Sequence, residues 1–222
     1  MHPRNRFRTG NAEPGAGLAA NQAILADTYG LKWSIPRDAH CPSVPSRCDY
    51  IHHLADLLSD GDEAAIPRGR AVRVIDIGAG ASCIYPLIGA SEYGWSFVAT
   101  DTDKAAMHWA RQIVRVNPSV ARLIEHRFQP DASACFEGVA KVGEKFAASL
   151  CDPAAGTDFI DAMIAESASR PLLCQWFTTL VPRSADLPRL RQSLGRLPVT
   201  GSKVIPIVHD KKKSRILAWT FN

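Results

Sequence analysis

The sequence predicts an α/β fold built on a doubly wound, mostly parallel sheet with an antiparallel edge, and three observations carry that expectation. Short apolar runs rich in β-branched residues alternate with segments of helical period, as strands buried on both faces require. The first run, Val72 to Ile77, carries Asp76 near its end and breaks into Gly78-Ala79-Gly80, the strand–turn–helix arrangement found at the ligand crevice of open sheets. The last two runs, Ser202 to His209 and Arg215 to Phe221, have only a lysine-rich turn between them, Lys211 to Lys213, which predicts a hairpin.

Taken in order, residues 1–18 are polar, basic and bear glycine and proline, so an arm is expected there, either disordered or laid over a ligand site. Leu18 to Tyr29 has apolar positions at helical spacing, and Gly30 suits a left-handed cap. Ile35 to Ser46 holds Pro36, Pro42 and Pro45 and is expected as extended loop. Arg47 follows it, and Tyr50 to Leu58 reads as an amphipathic helix ending near Ser59-Asp60-Gly61. Residues 1–60 are thus expected as an arm, a helix and a proline-rich loop covering a site in an α/β domain of residues 61–222.

In that domain a helix is expected from Ser82, and the strand Trp95 to Thr100 runs into Asp101. Asp103 to Val116 is helical and is stopped by Asn117-Pro118. Ala121 to Phe128 is expected as the third strand, followed by the loop Gln129-Pro130-Asp131. Phe146 to Leu150 reads as the fourth strand and leads into Cys151-Asp152-Pro153-Ala154-Ala155-Gly156. The helix Phe159 to Ala168, the strand Leu172 to Val181 and the helix Leu187 to Leu197 complete the alternation before the hairpin.

Composition narrows the function classes. A chain of 222 residues with 46% hydrophobic content suits one core with a small extension. It has no run of eighteen apolar residues, and MHPRNRFR lacks an apolar leader segment, so no membrane partner is expected and a cytoplasmic location is. The six cysteines, at positions 41, 48, 83, 135, 151 and 174, include no CxxC pair, and the seven histidines show no ligand spacing, so neither a metal nor a disulfide framework is expected. A net charge of +4 permits RNA binding without requiring it. Oligomeric state is left open.

The glycine turn points to a nucleoside. Asp101 lies 25 residues after Asp76, where an acidic residue can accept hydrogen bonds from ribose hydroxyls. A dinucleotide fingerprint would place glycine or alanine three residues after Gly80, but Cys83 stands there. The DxGxG form with a bulkier residue favours a ligand without a pyrophosphate, hence S-adenosylmethionine (SAM) over NAD. Gln129, after the third strand, would flank the adenine. Arg47 is placed to meet an anionic group such as the SAM carboxylate.

The segments MHPRNRF, CPSVPSRCDYIHHLADLL, DIGAGASCIYPLIGASEYGW and SRILAWTF together resemble the RlmF family of adenine-N6 RNA methyltransferases, a lineage with psilocybin synthase methyltransferase as a small-molecule relative. The resemblance implies a class I SAM-dependent methyltransferase fold with Arg47, the turn from Gly78 to Ser82 and Asp101 contacting SAM. It also exposes two departures. The family carries Asn-Pro-Pro-Phe after the fourth strand, where the asparagine and a proline carbonyl accept hydrogen bonds from the target amine and the aromatic ring stacks on the base. Here the tetrapeptide is Asp152-Pro153-Ala154-Ala155. A stacking ring is worth roughly 1–3 kcal/mol per base, and none stands in that motif. The chain is also shorter than family members, mostly in the N-terminal module and in a loop before the helix near Phe159.

From these departures, a small-molecule substrate is expected, SAM itself included, and RNA is not. The reading favoured by the dismantled acceptor site is intramolecular ring closure of SAM to azetidine-2-carboxylate with release of methylthioadenosine, similar in kind to azetidine-2-carboxylate synthases. Arg47 would fold the methionine tail, Asp152 would take the amine proton, and Trp176, with Phe177, Tyr29 or Trp33, would face the sulfonium. Asp152 and Pro153 would also contact SAM. Methyl transfer to a small amine or to RNA adenine, and SAM binding without catalysis, stand as alternatives.

Overall fold

The protein is described by a computed structural model covering residues 16–153, 156–209 and 212–222. The expectations for residues 1–15, for Ala154 and Ala155 and for Lys211 lie outside the described residues. Seven strands form one sheet: β1 (Arg73–Ile77), β2 (Ser96–Asp101), β3 (Ile124–Phe128), β4 (Phe146–Cys151), β5 (Cys174–Val181), β6 (Gly201–His209) and β7 (Lys212–Thr220). Their spatial order is β3-β2-β1-β4-β5-β7-β6. The first five are mutually parallel, and β7 lies antiparallel to both β5 and β6. The mostly parallel sheet with an antiparallel edge is thus the one the sequence predicts.

Because the parallel strands are covered on both faces, alternate residues of each strand feed two separate cores. Val74, Phe97 and Ala148 pack with α1 (Ala16–Tyr29), α2 (Val44–Leu58), α3 (Ile84–Tyr93), α4 (Lys104–Arg115) and the short α5 (Pro118–Ala121). Ile75, Val98 and Phe177 pack with α6 (Thr157–Ser169), α7 (Leu187–Leu194) and the loop around Phe136. Among the described residues, no helix is long and apolar enough to cross a membrane.

Several boundaries shift by two or three residues, among them the starts of α3 at Ile84 and β5 at Cys174 and the end of α7 at Leu194, and two others differ for a proline reason. Residues Val44 to Ser46, expected as loop, form the first turn of α2, where Pro45 is tolerated because the amide it lacks would have no helical partner. Arg47 therefore lies within that first turn, its amide donating to Ser43 O at 3.2 Å. Likewise Asn117-Pro118 ends α4 and also starts α5, so the third strand begins at Ile124.

The segment from Leu31 to Ile35 is a strap between α1 and α2. Leu31, Trp33 and Ile35 are buried while Lys32 and Ser34 are exposed, the alternation of an extended chain with one wet side. Asn117 holds it: Lys32 N donates to Oδ1 at 2.8 Å, and Nδ2 donates to Lys32 O at 2.7 Å and to Ile113 O at 2.8 Å. Trp109 Nε1 adds a bond to Ser34 O at 2.9 Å. Asn117→Ala leaves those groups without their partners and should lower unfolding stability by about 2–3 kcal/mol, read from the midpoint of urea denaturation.

Candidate active site

The carboxyl ends of β1, β2 and β4 converge on the glycine turn. Thr100 O accepts from Gly78 N at 3.0 Å and from Ala79 N at 2.8 Å, folding the turn back over β2. Gly78 and Gly80 have φ of +79° and +63°, a left-handed backbone that side chains disfavour. A Cβ at either position would meet no heavy atom within 4 Å. Conformation rather than crowding therefore demands glycine here, and the space before the turn is open. Trp33 Nε1 donates to Ser82 O at 2.9 Å and so fastens the strap to the turn.

Three carboxylates face this space. Asp101 accepts from Gly80 N at 2.8 Å and from Asp103 N at 2.9 Å, and its lone pairs leave room for further donors. Asp76 is 1% exposed, and neither of its carboxylate oxygens has a hydrogen-bond partner among the described residues. Burial holds its carboxyl well above the usual carboxylate range, and the charges of Asp101 and Asp152 push in the same direction. Asp152 follows β4. Its Oδ2 accepts from Arg47 Nη2 at 2.6 Å and from Tyr85 Oη at 3.0 Å, while no described residue donates to Oδ1. Arg47 keeps its buried Nε unpartnered among the described residues. Tyr85 packs edge-on against Tyr50 at 5.3 Å, and Tyr50 Oη lies 3.0 Å from Thr178 Oγ1, so Tyr85 is braced from below.

These groups fit SAM. The orphaned Asp76 suits a cationic group, Arg47 Nε suits a carboxylate, Asp101 suits ribose hydroxyls, and the open glycine turn admits the nucleoside. Among the described residues, no group of three or more His, Cys, Asp or Glu could hold a metal.

Not every expected site residue converges here. Gln129 does stand beside Asp101, its amide donating to Asp101 O at 2.9 Å. Its side chain, however, is spent on its own loop, with Nε2 donating to Glu137 O at 2.8 Å and Oε1 accepting from Asp131 N at 3.0 Å. Ser82 and Pro153 sit half-buried on opposite sides of the crevice. Trp176 is a correction. It pairs in register with Ala148, and Ala148 with Val74, which places it toward the amino ends of the strands, where its ring packs near Gly201 and under Lys203 Nζ at 5.4 Å. The other aromatic candidates are also committed elsewhere. Phe177 is fully buried beside Trp219 and Phe136, Tyr29 Oη donates to Cys48 Sγ at 3.3 Å, and Trp33 holds Ser82. Tyr85 is the residue that sequence reasoning missed; its place in the first turn of the helix after the glycine turn was the available signal.

The architecture and the donor set together define a class I SAM-dependent methyltransferase. A family described as RNA methyltransferase matches residues 1–155 and 154–222, and the chain belongs to it. The chain is 35% identical over 254 residues to ribosomal RNA large subunit methyltransferase F of Yersinia pestis (strain Pestoides F), covering 95% of this chain and 76% of that protein. Among solved structures it is similar to the N-terminal domain of human METTL16 in complex with SAH, at TM-score 0.84 and 28% identity over 95% of this chain and 83% of that one. It also matches a human methyltransferase 10 domain containing protein at TM-score 0.86 and 27% identity, covering 95% and 97% of the two chains. The two family segments meet at residues 154–155, where the sequence suggests a shortened loop, and an alignment of 254 positions against 222 residues means that the bacterial relative carries segments absent here.

These findings overturn one expectation and redirect another. The sequence reading expected a small-molecule partner and did not expect RNA, whereas the family and its named relative are RNA methyltransferases. They support methyl transfer in place of ring closure, and they lend no support to kinship with azetidine-2-carboxylate synthases or with the psilocybin enzyme.

Asp76 yields a pH prediction. A carboxyl whose folded pKa is raised favours the ligand-free fold below about pH 4, and that contribution is lost as pH rises through the folded value. A cationic ligand needs the ionised form. SAM affinity should therefore tighten as pH rises above the ordinary carboxylate range near pH 4, by up to about tenfold per unit, until ligand-free Asp76 is ionised. Asp76→Asn should flatten that dependence, weaken SAM binding and raise the ligand-free melting temperature at neutral pH, as calorimetry and thermal melts would show.

Proposed function

We propose that this protein transfers the methyl group of SAM to the N6 amine of an adenosine in RNA, large-subunit ribosomal RNA being the first substrate to try. One observation carries the reading: Asp152 stands where the resembled family has its acceptor asparagine, with Oδ2 held by Arg47 and Tyr85 and Oδ1 left to accept. An exocyclic amine is a poor nucleophile because its lone pair is drawn into the ring. Hydrogen bonding to Asp152 Oδ1 turns the lone pair out of that conjugation and toward the methyl carbon. SAM supplies an activated methyl on a cationic sulfur. As the N–C bond forms and the C–S bond breaks, the sulfur takes the electron pair and becomes a neutral thioether, and the amine nitrogen gains positive charge. Asp152 stabilises that charge and can receive the proton that the nitrogen then sheds. Arg47 and Tyr85 fix the carboxylate in place.

Incubating the protein with SAM and large-subunit ribosomal RNA, then digesting to nucleosides for mass spectrometry, should reveal N6-methyladenosine. Methylthioadenosine released from SAM alone, with no methylated nucleoside, would sink the proposal. Asp152→Ala should lower kcat by about 10²–10³-fold while changing SAM affinity far less. Asp152→Asn keeps an acceptor oxygen and should retain activity within about tenfold.

A further inference from the structure

Helix α4 carries an acid-free basic stripe that begins at the rim of the crevice. From Lys104 to Ile124 the chain holds Lys104, His108, Arg111, Arg115 and Arg122 and no Asp or Glu, although the whole chain balances 26 Lys and Arg against 22 Asp and Glu. Positions 104, 108, 111 and 115 are separated by four, three and four residues, which puts them within about 60° of arc on a helix over about 16 Å. All four are exposed, while the helix buries Met107, Ala110, Ile113 and Val114 on its other side.

Nothing described neutralises the stripe. None of these four side chains forms a salt bridge among the described residues. The flanking acids are engaged elsewhere: Asp103 accepts from the amides of Ala105 and Ala106, and Glu125 pairs with Arg127 and Lys141. Lys104 occupies the first turn, where the helix dipole disfavours a cation. Its Nζ instead lies over the ring of Phe128 at 4.9 Å, and Phe128 is the register partner of Asp101. Trp109, 36% exposed, lies on the same helix and offers part of an aromatic face.

We infer that this face of α4 docks the sugar–phosphate backbone of the RNA substrate, leading it along the helix to the crevice at Asp101. The inference rests on the RNA reading above and adds the surface that holds the substrate. A row of unpaired cations recognises phosphates without regard to base, so the contact supplies affinity and register rather than sequence choice.

The test uses the full chain, a fluorescein-labelled RNA hairpin with an unpaired adenosine, and anisotropy titrations at several salt concentrations. Arg111→Gln/Arg115→Gln should weaken binding by about five- to twentyfold at low salt and lower the slope of log affinity against log salt by about 1.5–2, with SAM affinity and melting temperature unchanged. Arg191→Gln/Arg196→Gln, at and just after α7 on the other face of the sheet, removes the same charge and serves as the comparison. Equal losses in both pairs, or an unchanged slope in the α4 pair while it still binds SAM, would overturn the stripe and leave RNA methylation standing. Failure of the wild type to bind the hairpin even at low salt would overturn the RNA reading and the stripe with it.

Discussion

Three carboxylates at the ends of adjacent strands, faced by one arginine, are the constraint around which this molecule is arranged. Neighbouring strands lie about 4.8 Å apart, so side chains at the ends of β1, β2 and β4 are brought close whatever their charge. Asp101 meets the cost with backbone amides, and Asp152 meets it with Arg47 and Tyr85. Among the described residues Asp76 finds neither remedy, and it stays buried with both oxygens unpaired by them. A buried polar group left without partners costs on the order of 1–3 kcal/mol, more if charged, so a fold selected for stability alone would replace it. The unmet demand is explained by a cationic ligand that satisfies it, and for that reason Asp76 is the clearest functional mark in the chain.

The segment from α1 through α2, residues 16–58, is part of the site wall and is not a detachable cover. α2 supplies Arg47, which crosses to β4, and the strap supplies Trp33, which holds the glycine turn at Ser82. Leu25, Trp33 and Ile51 belong to the same core cluster as Val74 and Ala148 of the sheet. Displacing the strap would at once expose apolar surface, free the turn and loosen the helix bearing Arg47. Stability and ligand binding therefore share the same contacts on this face, whereas α6 and α7 close the opposite face with a core of their own.

Much of this was legible in the sequence because it is locally encoded. The strand ending at Asp76, the φ-demanding glycines and Asp101 at the second strand end depend on short-range chemistry, and the edge hairpin followed from two strands with no helix between them. What was missed depends on the third dimension. Trp176 looked available because an aromatic in a strand says nothing about which end of the sheet it occupies; register with Ala148 puts it at the wrong end. Tyr85 gave no spacing signal, because its partner lies 67 residues away. Gln129 sits where topology predicted, yet its amide closes its own loop, a choice that strand order cannot reveal. The expectation about RNA failed for another reason: it inferred the loss of a partner from the loss of one known means of binding it.

Magnitudes show why that inference was unsafe. An absent stacking ring removes roughly 1–3 kcal/mol, or about 5- to 150-fold in affinity, from adenine recognition. Each backbone phosphate neutralised contributes about 0.7–0.9 to the logarithmic salt slope, so if Lys104, Arg111 and Arg115 each neutralise one, as inferred above, they would be worth on the order of 10² in affinity at ~0.1 M salt relative to 1 M. The two quantities are of the same order. A shortened enzyme of this family can therefore give up base stacking in the acceptor motif and still hold RNA, provided that affinity moves from the base to the backbone. Such a trade alters character as well as strength, since stacking is nearly indifferent to salt and phosphate contact is not. Under the proposed reaction, selection of one adenosine would fall to the geometry around Asp152 Oδ1, where a single amine must fit between the carboxylate and the methyl carbon.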